Sequence, residues 1–333
     1  MVSMKEIAAA CGVSVATVSK ALSDHRDIGE KTKRQVRETA DRMGYLPNMS
    51  ARYLKTNRSY NIGVLFEDAA HSGLTHDFFS GVLESLKITV ESRGFDITFL
   101  NTTSSEMSYV ERTQYRGFDG VAIACFDYSN PKILELLQSS VKVVTVDYIA
   151  DNRTAVVSDN TSGMTQLMNY ILGQGHRKIA YIHGDEGRVT RQRLASYYHS
   201  MEEYGAAIPD EYVQAGLYRD RQLAYEKTEE FLSLREPPTC ILYPDDVAAF
   251  GGINAIRARG LRVPEDISVA GYDGIRALQY SEPRLTTVRQ DMEALGRIAA
   301  ESLIAEIERP MLTAPTIHTV AGSLLEGQTV KKI

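Results

Sequence analysis

The chain has 333 residues, 43% hydrophobic and 24% charged, which is ordinary globular composition with material for two or three domains. No stretch reaches the apolar length of a membrane span. The opening MVSMKEIAAACG lacks the basic end and long apolar run of an export signal, so a cytoplasmic protein without a membrane partner is expected. The three cysteines, Cys11, Cys125 and Cys240, are far apart, which argues against a disulfide framework or a zinc site. The net charge of −6 conceals a polarity. Residues 1–58 hold 11 Lys and Arg against 6 Asp and Glu, whereas the remainder holds 26 against 37. A small basic head on an acidic body is the distribution expected when only the head meets a polyanion, although a solvated helix face gives the same count.

The predicted elements begin at once. Met4, Ile7, Ala8 and Cys11 recur at helical spacing. Gly12 supplies a tight turn, and Val13 fills the space between helices. Ser14 is an N-cap for a second short helix, Val15–Leu22, with Val18, Ala21 and Leu22 inward. Two short helices across a glycine turn form a helix-turn-helix unit. A third helix over roughly Glu30–Met43 points Val36, Ala40 and Met43 inward and Lys31, Lys33, Arg34, Arg37 and Arg42 largely outward. Gly44 ends it, and Pro47 blocks its resumption. The outward residues of the second helix are short: Val15, Ala16, Thr17, Ser19 and Lys20. They let a helix seat deeply in a major groove, where hydroxyls and Lys20 reach phosphates or base edges and methyls meet thymine. Spacing alone is equally compatible with a small helical bundle with a polar surface.

Val2–Ala8, Cys11–Leu22 and Gly44-Tyr45-Leu46-Pro47-Asn48 together resemble the opening of the lactose/galactose repressor (LacI/GalR) family, in a long run without gaps. Cys11 stands where alanine is usual and Lys20 where arginine is common; lysine keeps the charge but lacks the bidentate fork for guanine. The resemblance implies a DNA-binding set of Ser3, Ser14, Val15, Ala16, Thr17, Ser19 and Lys20. It also implies that 47–58 is a hinge helix and linker that orders on double-stranded operator DNA, with Asn48, Ala51 and Leu54 at the minor groove and Leu54 as the wedge. A helix of about eight residues is too short to be stable alone, and apolar wedges kink a duplex from the minor groove.

From Tyr60, apolar runs alternate with helical patterns. Strands are predicted at 62–66, 96–100, 121–124 and 143–146, with helices following Phe79 and spanning Pro131–Gln138. A second series follows a helix carrying Met164, Leu167, Met168, Ile171 and Leu172. Its strands are at 178–183, 239–243 and 267–270, and a last helix carries Met292, Leu295, Ala299 and Leu303. This is an α/β body of two doubly wound parallel sheets, hence two lobes and a cleft at the carboxyl ends of the strands. The stretch 101–119 carries no clear pattern.

For this body the resemblance implies a type I periplasmic-binding-protein-like fold with three crossovers, near 159, 288 and 318. The first lobe is then 59–159 with 288–318, and the second is 160–287 with 319–333, behind a head at 1–46. It also implies ligand contacts. Arg193, in Arg-Leu-Ala-Ser-Tyr, matches a ligand-holding arginine, and Asp273, in Gly-Tyr-Asp-Gly, matches an aspartate that accepts ligand hydroxyls. Asp245 stands in for an amide, Asp147 ends the fourth strand, and Phe78 and Phe79 match paired aromatics at the cleft mouth. Carboxylates that accept hydroxyl pairs, an arginine fork and an aromatic face are coherent chemistry for a sugar.

Rival classes are an enzyme and a plain sugar-binding protein. The chain has no GxxxxGK[ST], HExxH or GxSxG motif, so no catalytic residues, cofactor or metal are expected. A plain binding protein leaves the basic head unexplained. The expected function is therefore a homodimeric transcriptional repressor of carbohydrate-utilisation genes, released from a pseudo-palindromic operator by a small-molecule effector, a galactose-like sugar being favoured. Corepression by a purine or another ligand is the alternative.

Overall fold

The computed structural model describes residues 2–45, 58–67, 73–100, 106–276, 280 and 282–333. The chain divides into two compact units, Met1–Ser59 and Tyr60–Ile333.

The head contains helices α1 (Met4–Cys11), α2 (Val15–Leu22) and α3 (Glu30–Arg42). Ser3 and Glu6 form a reciprocal capping box at α1, and Gly12, at φ 66°, takes the left-handed turn that no side chain favours. The Ser14 hydroxyl accepts the Thr17 N–H and so starts α2. Ile7, Ala8, Val18, Ala21, Val36 and Ala40 make one small core. One expectation fails here. Lys33 is only 5% exposed, because its ammonium is drawn back onto Asp24 and Glu30 at 3.1 and 2.8 Å. Asp24 also takes Arg37 at 2.7 Å, and these two hydrogen-bonded cations lower its pKa. The stem of Lys33 packs inward while its charge serves the loop before α3.

The body is built on β1 (Asn61–Phe66), β2 (Asp96–Phe99), β3 (Gly120–Cys125), β4 (Val143–Val146), β5 (Thr154–Ser158) and β11 (Ile317–Val320). They form one parallel sheet in the order β2-β1-β3-β4-β5-β11. Alternate strand residues serve opposite faces, which is why both faces are apolar. Ala122 and Ala124 join the core under α4 (Asp77–Ser92) and the long α11 (Met292–Glu308). Val121 and Ile123 face the other way, toward α5 (Tyr109–Arg116) and α6 (Pro131–Gln138). Helix α5 lies in the stretch where the sequence shows no pattern; a Ser108/Glu111 capping box starts it and Gly117 ends it.

The second lobe repeats the plan with β6 (Ile179–His183), β7 (Val213–Ala215), β8 (Cys240–Leu242) and β9 (Ser268–Ala270), parallel in the order β7-β6-β8-β9. Helices α7 (Asn160–Gly173) and α8 (Arg188–Glu203) cover one face; α9 (Arg221–Leu232) and α10 (Asp246–Ala258) cover the other. The strands β10 (Thr287–Arg289) and β12 (Ser323–Leu325) pair antiparallel, and Val288 and Leu324 pack with the α7 side of the second lobe. The chain leaves the first sheet after Ser158, returns through β10 to α11, and leaves again after Val320. The expected boundary at 318 therefore cuts β11, whose ladder with β5 continues to Val320.

Candidate effector cleft and DNA-facing helix

In the head, Val15 and Ala16 lie on the exposed face of α2, Val15 being 41% exposed; Lys20 is also exposed, and Thr17 and Ser19 are half-buried. This is a shallow, mainly methyl-bearing surface with one cation at its end. The hydroxyls of Ser3 and Ser14 are already engaged, the first with Glu6 at 2.8 Å and the second with the Thr17 side chain at 2.9 Å. Their main structural work is capping. Lys20 is paired with Asp27 at 3.3 Å, with both partners about half exposed; such a pair is worth about 0–1 kcal/mol and yields readily to a phosphate. Asn48, Ala51 and Leu54 lie outside the described residues.

In the body, Arg193 is the centre of the polar cluster. It sits on α8 and is 3% exposed. Its Nε donates to Asn160 Oδ1 and its Nη1 to the Pro244 carbonyl, both at 2.8 Å. The guanidinium carbon lies over the Tyr272 ring, 3.5 Å from its centroid, with the Tyr218 centroid 5.9 Å away. Two edges are thus fixed, and Nη2 faces Asp273 Oδ1 at 4.0 Å. Tyr272 can lie there because α7 carries Gly163 opposite it: a Cβ on that residue would meet the tyrosine hydroxyl at 2.2 Å.

Asp273 follows β9 at φ 106° and accepts the Gln290 amide at 2.6 Å. Burial pushes its carboxyl up to about 7, with Arg193 opposing the rise. Asp147, at φ 55° after β4, accepts the Ser158 N–H at 2.8 Å. Burial raises its pKa too, while that backbone bond and the charges of Arg193 and Arg188 lower it. Asp147 from the first lobe, Arg193 and Asp273 from the second therefore share one electrostatic environment at the strand ends.

The remaining expected residues behave differently. Asp245 caps α10: its Oδ1 accepts the Ala248 N–H at 2.8 Å and its Oδ2 accepts the Arg219 N–H at 2.6 Å. Each oxygen is committed to main chain, so the residue ties a loop to a helix rather than offering an open acceptor. Phe78 is buried in the core beneath the first sheet, because its direction on α4 follows Val82 and Leu86. Phe79 is half-buried at the margin of the same core, its ring 4.9 Å from those of Phe78 and His76 and 5.6 Å from that of Phe66.

Several cleft residues escape sequence reasoning. Gln290, Asn160 and Ser158 are single polar residues at element ends with no pattern of their own. Tyr218 lies after a strand too short to detect, and its hydroxyl is 2.9 Å from Thr190 Oγ1. Tyr128 and Tyr148 stack face to face, centroids 3.5 Å apart, in the loops after β3 and β4. Their residues are 20 apart in sequence, and only the parallel strand pairing brings them together. Among the described residues, Ser158 Oγ and Gln290 Oε1 are buried without a hydrogen-bond partner.

A helix-turn-helix head joined to a two-lobed α/β body with a polar, aromatic-walled cleft defines a ligand-responsive DNA-binding regulator. Residues 3–48 match the model of bacterial regulatory proteins of the lacI family, and residues 168–330 match a periplasmic binding protein-like domain. The probable HTH-type transcriptional repressor ExuR of Bacillus subtilis is 32% identical, over 95% of this chain and 95% of that protein. The HTH-type transcriptional repressor PurR of Pectobacterium atrosepticum is 29% identical over 99% and 97%. The chain belongs to the lacI family of bacterial regulatory proteins and is a DNA-binding transcriptional repressor, not an enzyme. Its fold matches the lac repressor dimer bound to operator and the anti-inducer ONPF at a TM-score of 0.81, with 23% identity over 99% of both chains. The regulator CelR in complex with cellobiose follows at a TM-score of 0.71, with 22% identity over 99% of this chain and all of that one. No described helix is long and apolar enough to cross a membrane.

Proposed function

We propose that the repressor acts in the cytoplasm as a homodimer on a pseudo-palindromic operator and is released by a small sugar bound between the lobes. The observation that carries this reading is the convergence of Arg193, Asp273 and Asp147 from both lobes. An anchored guanidinium with one edge toward the cleft donates to ring and hydroxyl oxygens, and the carboxylates accept hydroxyl protons. Phe79 and Tyr218 supply apolar faces for C–H groups. Because Asp147 belongs to the first lobe and Arg193 to the second, a ligand that uses both favours closure and shifts the separation of the body's operator-proximal ends.

Galactose or a related hexose is favoured. Val15-Ala16 is the recognition pair of galactose-type repressors, and Asp77-Phe78-Phe79 resembles a segment they carry. On the DNA side, Val15, Ala16, Thr17, Ser19 and Lys20 enter the major groove, and Asn48, Ala51 and Leu54 enter the minor groove.

The test is fluorescence anisotropy of the full chain on a labelled pseudo-palindromic duplex at fixed salt, titrated with galactose, other hexoses and purines. Tight binding released by one hexose supports the reading. Binding that appears only with a purine reverses it to corepression, and release by no sugar overturns the effector assignment.

A further inference from the structure

One ion pair joins the two lobes at the edge of the cleft. Arg219 Nη1 of the second lobe lies 3.2 Å from Asp77 Oδ2 of the first, with side chains 18% and 43% exposed. Both ends are held rigidly. Arg219 adopts a left-handed backbone, φ 62°, which costs a non-glycine residue free energy and persists only where its surroundings fix it. The fixing contacts are present. The Arg219 N–H donates to buried Asp245 at 2.6 Å, neighbouring Tyr218 is hydrogen-bonded to Thr190, and Asp220 caps α9 through the Leu223 N–H. Asp77 is the first residue of α4, whose N-cap is the ring of His76, and that ring packs on Phe79.

We propose that Asp77 and Arg219 are an electrostatic clasp that favours the closed arrangement of the lobes, with Asp245 as the positioning residue that aims Arg219 across the cleft. One buried carboxylate thereby serves two ends: Asp245 Oδ1 caps α10 through the Ala248 N–H, and its Oδ2 holds the strained Arg219 amide, which leaves the guanidinium directed at the opposite lobe. The clasp makes no demand on the effector and sets the equilibrium that the effector then shifts, so it rests on the proposed sensing role only for its consequence.

The test uses the full chain without any sugar, so that failure of the clasp is separable from a wrong effector. Amide hydrogen exchange is followed in peptides that line both sides of the cleft, 143–158 and 268–276. Asp77→Asn and Arg219→Gln should each speed exchange on both sides about two- to fivefold, the range open to a partly exposed pair. The double variant should be no faster than either single one, because the second substitution has nothing left to break. Raising the salt from about 0.05 M to about 0.5 M should speed the wild type and leave the variants unmoved. Additive acceleration in the double variant overturns the proposal. So do changes confined to 73–80 and 213–222, which would make the contact a local ornament of two loops.

Discussion

The two lobes of the body are built on the same plan, yet they contribute to the cleft unequally. The first has the larger sheet, six strands against four, and on the proposed reading brings Asp147 and Phe79. On the same reading the second brings Arg193, Tyr218 and Tyr272, each held by a partner on another element of that lobe, and Asp273, held by Gln290 on the segment that joins the lobes. If the proposed site is right, its recognition chemistry is preorganised mainly in one lobe, and the other is the wall that closes on it. Preorganisation lowers the ordering cost of binding, and a wall with few fixed polar groups can move without leaving many of them unpaired.

The sharpest way to break this comparison is Arg193→Ala. It leaves Asn160 Oδ1 and the Pro244 carbonyl without their donor and Asp273 without its opposing charge. A loss of about 3–5 kcal/mol in the urea unfolding of the body is expected, because one member of a buried ionic network has gone. A change under about 1 kcal/mol would mean that the arginine is not an anchor. Next is Gly163→Ala. A methyl 2.2 Å from the Tyr272 hydroxyl forces the ring, and with it the stacked guanidinium, to shift. The expected cost is about 1–3 kcal/mol, with weakened sugar response in the anisotropy assay.

Asp273 sharpens the comparison through pH. Burial holds the Asp273 carboxyl up to about 7 in the folded chain, against an ordinary value of 3.8 for the carboxyl in the unfolded chain. Between those values the native state holds the extra proton, so this residue makes stability fall as pH rises, and above the window the penalty is constant. Asp273→Asn should flatten that part of the profile relative to wild type; profiles of equal slope between pH 4 and 7 would place the buried proton elsewhere. The smallest effect is expected in the first lobe. Asp147→Asn retains an oxygen for the Ser158 N–H, so the unfolding midpoint should move by less than about 1 kcal/mol while hexose binding weakens. A larger loss of stability would give Asp147 a structural role like those in the second lobe.

How much was legible in the sequence follows the same division. The head could be read almost to the residue, because caps and glycine turns are local: α1, α2 and the Ser14 cap need no distant partner, although the equally local Ser3 capping box goes unread in the sequence. The exception is Lys33, whose inward course depends on Asp24 nine positions earlier. In the body, most central strands announce themselves as apolar runs, but the fully buried β5 does not, because its Thr154 and Ser158 flank only three apolar residues. Val213–Ala215, Thr287–Arg289 and Ser323–Leu325 do not: unlike the equally short β8 and β9, which are buried throughout, each leaves part of its length exposed or half-buried and so lacks a continuous apolar run. For the cleft, residue type alone could not separate carboxylates facing the cleft from those facing the backbone. Asp245 and Asp273 both end strands of one sheet, yet the first is consumed by helix capping and the second keeps an oxygen 4.0 Å from Arg193. Nor could adjacency in sequence tell that a 100° step on the helix buries Phe78 fully and leaves Phe79 half-buried at the margin of the same core.

The bond from Gln290 to Asp273 has a wider reach than its length suggests. Gln290 follows the last residue of β10, which is tied to the second lobe, and precedes Asp291, the cap of the helix that packs into the first lobe. The carboxylate proposed to weigh an arriving hydroxyl is therefore fastened to the segment by which the chain passes from one lobe to the other. A proton or a ligand at that oxygen alters the load on a joint, and the message has only one side chain to travel.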